Sequence, residues 1–433
     1  MNEMIFIKEL VQIFNNGIKN NTERIGVEFE HFIIDQKSLE SCDYNSGVKK
    51  VMENLLNLGY KELNRASEEI LGLTKNNHYI TLEPGGQIEV SLKPFMGIDS
   101  IRKAYSSILD EIKSSLLENQ CIISLGYHPK TKIETLEILP KLRYHQMFEY
   151  FKNCGKYAHY MMKGTASTQV AIDYHSEDDF IKKFRVSNFL SPFIYRIFDA
   201  SPVFEGKIYE SNNLRLNIWD HTDQSRCGIP NNALNKKNFN FNDYAEYIMN
   251  TPPIFIRSNK DYAFTGQQSL KEIIQTEDYQ EIDLEYTLGM VFPDTRLKGY
   301  IELRMPDALP YPLSLAVPAL IKGIFYNQEN LDKYYKLSLE YDDEDYMKFK
   351  ELFKESLNIN YKGINSKNII NELFTDAMEV LKESEIVELY EVKYLIDNYG
   401  SVSNFLKKIF QEDKSRFFSI VTGGLTWEMM KNL

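Results

Sequence analysis

Residues 81–89 read Thr81-Leu82-Glu83-Pro84-Gly85-Gly86-Gln87-Ile88-Glu89, two carboxylates and an amide set around a Pro-Gly-Gly turn. Pro84 pre-sets the first corner, and Gly85 and Gly86 supply backbone angles that other residues adopt only at a cost. After the turn the pattern alternates: Gln87, Glu89 and Ser91 share one face of a predicted strand, and Ile88, Val90 and Leu92 share the other. A hairpin with a solvated polar face has the same pattern, so the reading depends on the strands around it.

Four further segments show the same two-faced alternation. In Ile25–Ile34, Glu28 and Glu30 lie opposite Ile25, Val27 and Phe29. In Lys163–Asp173, Thr165, Ser167 and Gln169 line one side. In Asn213–Trp219, Arg215 and Asn217 oppose Leu214, Leu216 and Ile218, and in Tyr300–Met305, Glu302 and Arg304 oppose Ile301, Leu303 and Met305. All five segments are predicted strands. Between them, Ile98–Leu117 carries apolar residues at steps of three and four and predicts a helix in need of an apolar surface.

Both patterns are satisfied by an α+β fold: a mostly antiparallel sheet with helices on one face and an open polar face forming a cleft wall. After about residue 335 the strand signal fades. Asp345–Asn358, Ser366–Lys382, Ser384–Asn398 and Ser401–Gln411 read as successive helices, with Ser366, Ser384 and Ser401 as N-caps. The expected organisation is a catalytic domain over 1–335 and a helical C-terminal lobe over 336–433. Residues Asn231–Asn242 read as a loop by composition.

With 433 residues the chain has ample length for a large core. Its formal net charge of −12 argues against nucleic-acid and membrane-surface partners, which rely on basic patches. Cys42, Cys121, Cys154 and Cys227 are widely spaced, which suggests neither a zinc site nor a disulfide framework and fits a reducing cytoplasm. The N-terminus has early acids and too short an apolar run for a secretory signal or an Arg-rich transit peptide, and reads as a helix. The apolar region Ala308–Tyr326 is broken by three prolines and contains Lys322, so it falls short of a membrane span, and a soluble cytoplasmic protein is expected.

Glu28, Glu30, Glu83, Glu89 and Glu302 come from four segments, yet a sheet would turn each toward the open side. Five unneutralised carboxylates in one cleft repel strongly. Hard divalent cations such as Mg²⁺ relieve that repulsion by taking oxygen ligands and bridging protein carboxylates to phosphates, so a metal–nucleotide site is the leading expectation. Arg304, on the same face as Glu302, is placed to neutralise a transferring phosphoryl group. Neither a GxxxxGK[ST] loop nor a strand-linked GxGxxG occurs, so metals and arginines would have to hold the phosphates. One acid-bearing strand alone is more often a solvated face; the co-occurrence of several carries the argument.

At this point a resemblance enters. Gly26-Val27-Glu28-Phe29-Glu30, Ile80–Glu89, Arg143-Tyr144, Met162–Val170, Ile181–Arg185, Ile218–Arg226 and Phe292–Arg304 form an ordered series of blocks that resembles the plant-type glutamate–cysteine ligases. These belong to the carboxylate–amine ligases, whose fold is similar to glutamine synthetase. The resemblance implies ATP-dependent amide formation between the γ-carboxylate of L-glutamate and the amine of L-cysteine, through a γ-glutamyl phosphate, for thiol (glutathione) biosynthesis. By analogy Glu28, Glu30, Glu83, Glu89 and Glu302 hold Mg²⁺, with Gln169 as a weaker ligand. Arg304, Glu302 and Glu83 are the catalytic set, Arg143, Arg215 and Arg226 bind substrate carboxylates, and Thr165 hydrogen-bonds glutamate.

His31 on the apolar face of its strand reads as a core histidine, and Met305-Pro306-Asp307-Ala308 departs from the family's glycine-rich continuation. Such departures leave open a γ-glutamyl ligase for another amine, and a non-catalytic ligand-binding relative is a third reading. The expected partners are small molecules: glutamate, cysteine or another amine, and ATP.

Overall fold

The alternation of residues 25–35 becomes the central strand of one sheet. In the computed structural model, which describes residues 2–20, 22–66, 69–258, 261–276 and 282–424, β1 (Ile25–Asp35) is flanked by later strands on both sides. These are β2 (Lys61–Ala66), β3 (Glu69–Lys75), β4 (His78–Leu82), β5 (Ile88–Phe95), β6 (Gln120–Ile123) and β7 (Thr168–Ile172), joined by the short strands Thr295–Leu297 and Ile301–Leu303. The sheet runs Thr295–Leu297, Ile301–Leu303, β7, β1, β5, β4, β3, β2, and β6 pairs with the far end of β1. Every pairing is antiparallel, as the alternation predicts.

Register decides what the open face presents, because residues directly opposite in neighbouring strands share a face. Glu30 lies opposite Glu89, and Glu28 lies between Ser91 and Gln169. Glu302 lies between Ala171 and Arg296. The other face is covered by the helix Ile98–Ser115, which buries Ile98, Ile101, Tyr105, Ile108 and Ile112. Tyr105 stacks on Phe29 of β1 with ring centroids 3.8 Å apart. The helix Ala316–Phe325 also lies against β1 and β7 and is buried almost all round. His31 sits in this core as expected, its ring nitrogens 2.7 Å from Ser124 Oγ and 3.2 Å from the Tyr105 hydroxyl.

The C-terminal region is helical: Asp343–Glu355, Ser366–Val380, Val387–Tyr399, Val402–Glu412 and Lys414–Gly423, with a two-residue-stranded hairpin at 360–365. The helix Ser366–Val380 packs on Ala316–Phe325, tying this region to the back of the sheet. Ser401 is an N-cap, accepting from the Asn404 N–H at 2.9 Å. The other two caps differ from expectation. Asn365, not Ser366, caps its helix, and Ser384 precedes a helix that starts at Val387, donating its hydroxyl to Asp99 instead. No described helix is long and apolar enough to cross a membrane.

Two strand expectations need correction. Asn213–Trp219 is not a strand; Leu214–Asp220 is a helix entered through Asn213 in the left-handed region. The seven-residue run fits either period, since Leu214, Leu216 and Ile218 are all buried; the helix is marked by its backbone, with the Asn217 N–H donating to the Asn213 carbonyl at 3.0 Å. Within Lys163–Asp173 only Thr168–Ile172 is strand, because Lys163 and Gly164 close the helix Ala158–Gly164.

The turn at 83–87 is closed by Glu83 N–H to the Gln87 carbonyl and Gly86 N–H to the Glu83 carbonyl, both 2.9 Å, with Gly86 at φ 86°. Gly85 is required by close approach: a Cβ there would lie 2.5 Å from the Lys163 carbonyl oxygen. Gly85→Ala is therefore expected to lower stability by about 1–3 kcal/mol, the usual cost of overpacking. Urea unfolding of the variant against the parent measures it, and an unchanged midpoint would contradict the close packing.

Candidate active site

The open face of the sheet carries two adjoining cavities. The narrower, about 130 Å³, is lined by Glu28, Glu30, Glu83 and Glu89, by Arg143, Arg215, Arg296 and Arg304, and by Met147, Met161, Met162, Trp219 and Phe292. The wider, about 940 Å³, shares Glu28 and Gln169 with it and adds Glu302, Arg24, Lys93, Tyr300 and the small residues Gly26, Ala171 and Gly299. Four of the five expected acids thus line the first cavity, and the fifth lies in the second with Glu28.

The acids divide into two electrostatic kinds. Desolvation, then repulsion from Glu89 and Glu302, pushes Glu28 up to about 8. Desolvation, then Glu83 and Glu30, pushes Glu89 up to about 7. Glu83 and Glu30 are also raised by desolvation; Glu30 adds to the shift of Glu83, and Arg215 moderates that of Glu30. Glu302 is the opposite case. Burial opposes its ionisation, but Arg296, Lys298 and Arg304 outweigh that and hold it well below the usual carboxylate range. Arg296 Nε lies 2.6 Å from it, Arg304 3.2 Å and Lys298 3.5 Å.

The donor set fits a hard cation: four glutamates without enough fixed positive charge, all offering oxygen. Among the described residues, no three His, Cys, Asp or Glu side chains converge tightly enough to form a ready-made metal centre. An arrangement of facing carboxylates suits an ion whose remaining ligands come from substrate and water.

The remaining predicted residues separate on inspection. Thr165 lines the narrow cavity, with its hydroxyl donated to the Met161 carbonyl at 2.7 Å. Arg143 is held by rings, with Tyr286 and Tyr144 centroids at 5.7 and 5.9 Å from its guanidinium, and its buried Nε has no protein partner. Arg215 lines the cavity but donates to the carbonyls of Met305 and Arg304 at 2.9 and 3.1 Å, so much of its fork is already used. Arg226 is corrected outright. It is fully buried, away from the cavity, and gives four of its five N–H groups to Asp223, Tyr150 and the carbonyls of Pro252 and Met290, leaving no free fork for a substrate carboxylate. Gln169 is also corrected as a metal ligand. Its Nε2 donates to Glu30 at 2.8 Å, and its oxygen accepts from Arg304, which as a pure donor fixes the amide's orientation.

Sequence reasoning missed Arg296, which sits opposite Glu302 in a three-residue-per-strand hairpin. The signal was available: a lone buried acid on a short strand calls for a cation directly across. It also missed the helix at 214–220, which puts Arg215 and Trp219 at i, i+4, guanidinium to ring centroid 5.6 Å.

A twisted antiparallel sheet with acids and arginines on one face and helices on the other defines a class of catalytic fold similar to glutamine synthetase. The chain matches the family described as glutamate–cysteine ligase family 2 (GCS2) over residues 24–356, and it belongs to that family. It is 29% identical over 354 residues to the chloroplastic glutamate–cysteine ligase B of Oryza sativa subsp. japonica, covering 80% of this chain and 71% of that one. It is 30% identical over 333 residues to the chloroplastic enzyme of Nicotiana tabacum, covering 75% and 63%. The fold is similar to the crystal structure of a Francisella tularensis glutamate–cysteine ligase in complex with AMP, with TM-score 0.56 and 13% identity over 93% of this chain and 88% of that one. The plant relatives are chloroplastic, which overturns the expected cytoplasmic location. Four free cysteines are compatible with any reducing compartment and do not select one.

Two measurements follow from this geometry. Because Glu28 and Glu89 bind protons in the folded state that they release in the unfolded chain, stability of the metal-free protein falls as pH rises from about 4.5 through about 8. Thermal scans across that range should show a declining midpoint that Mg²⁺ restores; a flat profile would contradict the raised acids. Arg226→Met should cost about 3–5 kcal/mol by stranding Asp223, whereas Arg143→Met should change stability by less than about 0.5 kcal/mol. Chemical denaturation of the pair distinguishes a scaffold arginine from a ligand-facing one.

Proposed function

We propose that this protein is an ATP- and Mg²⁺-dependent ligase that joins the γ-carboxylate of L-glutamate to the amine of L-cysteine, giving γ-glutamylcysteine. The observation that carries the reading is the unneutralised quartet Glu28, Glu30, Glu83 and Glu89 beside the arginine pair Arg296 and Arg304, in a chain of the glutamate–cysteine ligase family. An ionised carboxylate resists attack by an amine, so its oxygen must first be converted to a better leaving group. The γ-carboxylate attacks the terminal phosphorus of ATP, ADP departs with the bonding electrons, and an acyl phosphate results. The deprotonated amine then attacks the acyl carbon and phosphate leaves, forming the amide.

Each step brings anions together. Glu28, Glu30, Glu83 and Glu89 would hold Mg²⁺, which would supply charge screening for the phosphates when bound. Arg304, with Arg296 beside it, neutralises the transferring phosphoryl group, and Glu302 holds both guanidinium groups in place. Gln169 orients Arg304 and Glu30 rather than binding metal. Arg143, clamped by rings with a donor to spare, receives a substrate carboxylate, and Thr165 borders the glutamate position. The narrow cavity suits the reacting ends of the amino acids, and its apolar wall of Met147, Met161, Met162, Trp219 and Phe292 suits an uncharged, polarisable acceptor side chain. The wider cavity suits the nucleotide, so phosphoryl transfer occurs at the Glu28–Gln169 border that both share. Residues 1–335 act as the catalytic domain, and beyond them the helices from Asp343 to Gly423 brace it from behind.

Purified protein incubated with Mg²⁺, ATP, glutamate and a panel of amines, scored for phosphate and product mass, tests this reading. Cysteine-dependent γ-glutamylcysteine is expected, and turnover confined to a different amine would refute the acceptor assignment. Glu83→Gln and Glu28→Gln should each lower kcat by about 10²–10³-fold. Their melting points should hold or rise, since each removes a charge the fold leaves unpaired; near-parental kcat in both would reject the metal-holding role.

A further inference from the structure

The turn that opens the acidic face is joined to the centre of the site by a side chain to which the reaction scheme gives no part. Gln87 is 2% exposed and uses its whole amide. Its Oε1 accepts from the Gly85 N–H at 2.8 Å, and its Nε2 donates to the Thr165 carbonyl at 2.9 Å and the Met162 carbonyl at 3.3 Å. The segment it grips, 162–169, in turn grips Glu30: the Ser167 N–H donates to one carboxylate oxygen at 2.7 Å and Gln169 Nε2 to the other at 2.8 Å. The oxygen of Gln169 then receives Arg304. A hydrogen-bonded path therefore runs from the turn bearing Glu83, through Gln87, to Glu30 and on to Arg304.

Two observations make Gln87 more than a filler of that gap. The sheet register pairs Glu30 with Glu89 but leaves Glu83 beyond the β4–β5 ladder, which ends at Leu82, so that its place depends on the turn and on the Glu83 N–H to Gln87 carbonyl bond that closes it. And Gly85 rests so closely on Lys163 that a small rotation of the turn would either collide with 163–164 or open a gap there. We propose that Gln87 is a positioning residue: it sets the turn, and so the Glu83 carboxylate, against Glu30 and the phosphoryl-binding arginine. The inference rests on the ligase reading for its catalytic consequence, and on the hydrogen-bond path alone for its structural one.

Gln87→Met keeps the side chain's length and removes all three hydrogen bonds; Gln87→Asn keeps the amide but is too short to span Gly85 and Thr165 together. Both are compared with the parent at a temperature well below the melting point of each variant, reading kcat, the KM for ATP and Mn²⁺ affinity by calorimetry without substrates. Both variants are expected to lose about 10–100-fold in kcat and about tenfold in Mn²⁺ affinity, as when a partner that orients a ligand is removed. The KM for ATP should stay within about twofold, since the nucleotide cavity is not touched. A purely structural glutamine would lower the melting point and leave these values intact per folded molecule. Parental kcat or parental Mn²⁺ affinity in Gln87→Met overturns the inference. A parent protein that binds Mn²⁺ yet turns over no amine overturns the ligase reading instead, and the Mn²⁺ titration then decides the role of Gln87 by itself.

Discussion

The structure depends on a repulsion that the fold creates and does not fully cancel. Antiparallel register places Glu28, Glu30 and Glu89 side by side on one face of a sheet whose other face is committed to the core. A strand cannot relieve the crowding by slipping one residue, because that would drive the acids into the helix layer and lift Phe29 away from Tyr105. The hydrophobic packing that makes the sheet stable is thus what holds the acids together. Glu302 shows that the fold is able to neutralise a buried carboxylate when that serves it, for three cations surround this one. Among the described residues no Lys or Arg forms an ion pair with Glu28, Glu30, Glu83 or Glu89, which is the ground for proposing them as ligand-binding charge.

The arginines divide by the same criterion. Arg226 and Arg185 are consumed by backbone carbonyls and internal side chains, and they fasten loops. Arg215 is intermediate, fastening the 304–305 backbone while presenting a cavity wall. Arg143 is held by ring faces, which orient a guanidinium without using its N–H donors. Motif matching ranks all of these alike, since a guanidinium in a matched block says nothing about how many of its donors are already used.

That difference explains which parts of the molecule the sequence conveyed. Period-two alternation located the acid-bearing strands and their open face because register follows from the apolar set, and the apolar set is written in the chain. The segment at 213–219 was too short for period to separate strand from helix, and the true element changed which side chains meet: Arg215 pairs with Trp219 rather than with Asn217. Cap assignment failed at Ser366 because Asn365, one position earlier, has an equally suitable side chain, and the backbone at the helix entrance decides between them. Arg226 failed because saturation by Pro252 and Met290 carbonyls depends on loops far along the chain. Arg296 follows from Glu302 once the hairpin register is known, because a buried acid on a short strand needs a cation directly across.

The two cavities give these charges a direction. Their shared border, Glu28 and Gln169, lies on adjacent strands in a single row of the sheet, with Arg304 next along that row. A phosphoryl group crossing from the wide cavity to the narrow one would pass over that row, moving along a line on which acid, amide and guanidinium succeed one another. Gln169 is neutral, so it separates Glu28 from Arg304 without pairing with either as an ion, and it is anchored at both ends by Glu30 and Arg304. An ionic residue in its place would bind one neighbour and repel the other, collapsing the border toward one side. The neutral amide keeps the acidic half and the guanidinium half of the row apart, which is the separation that the proposed activation of one anion by another would use.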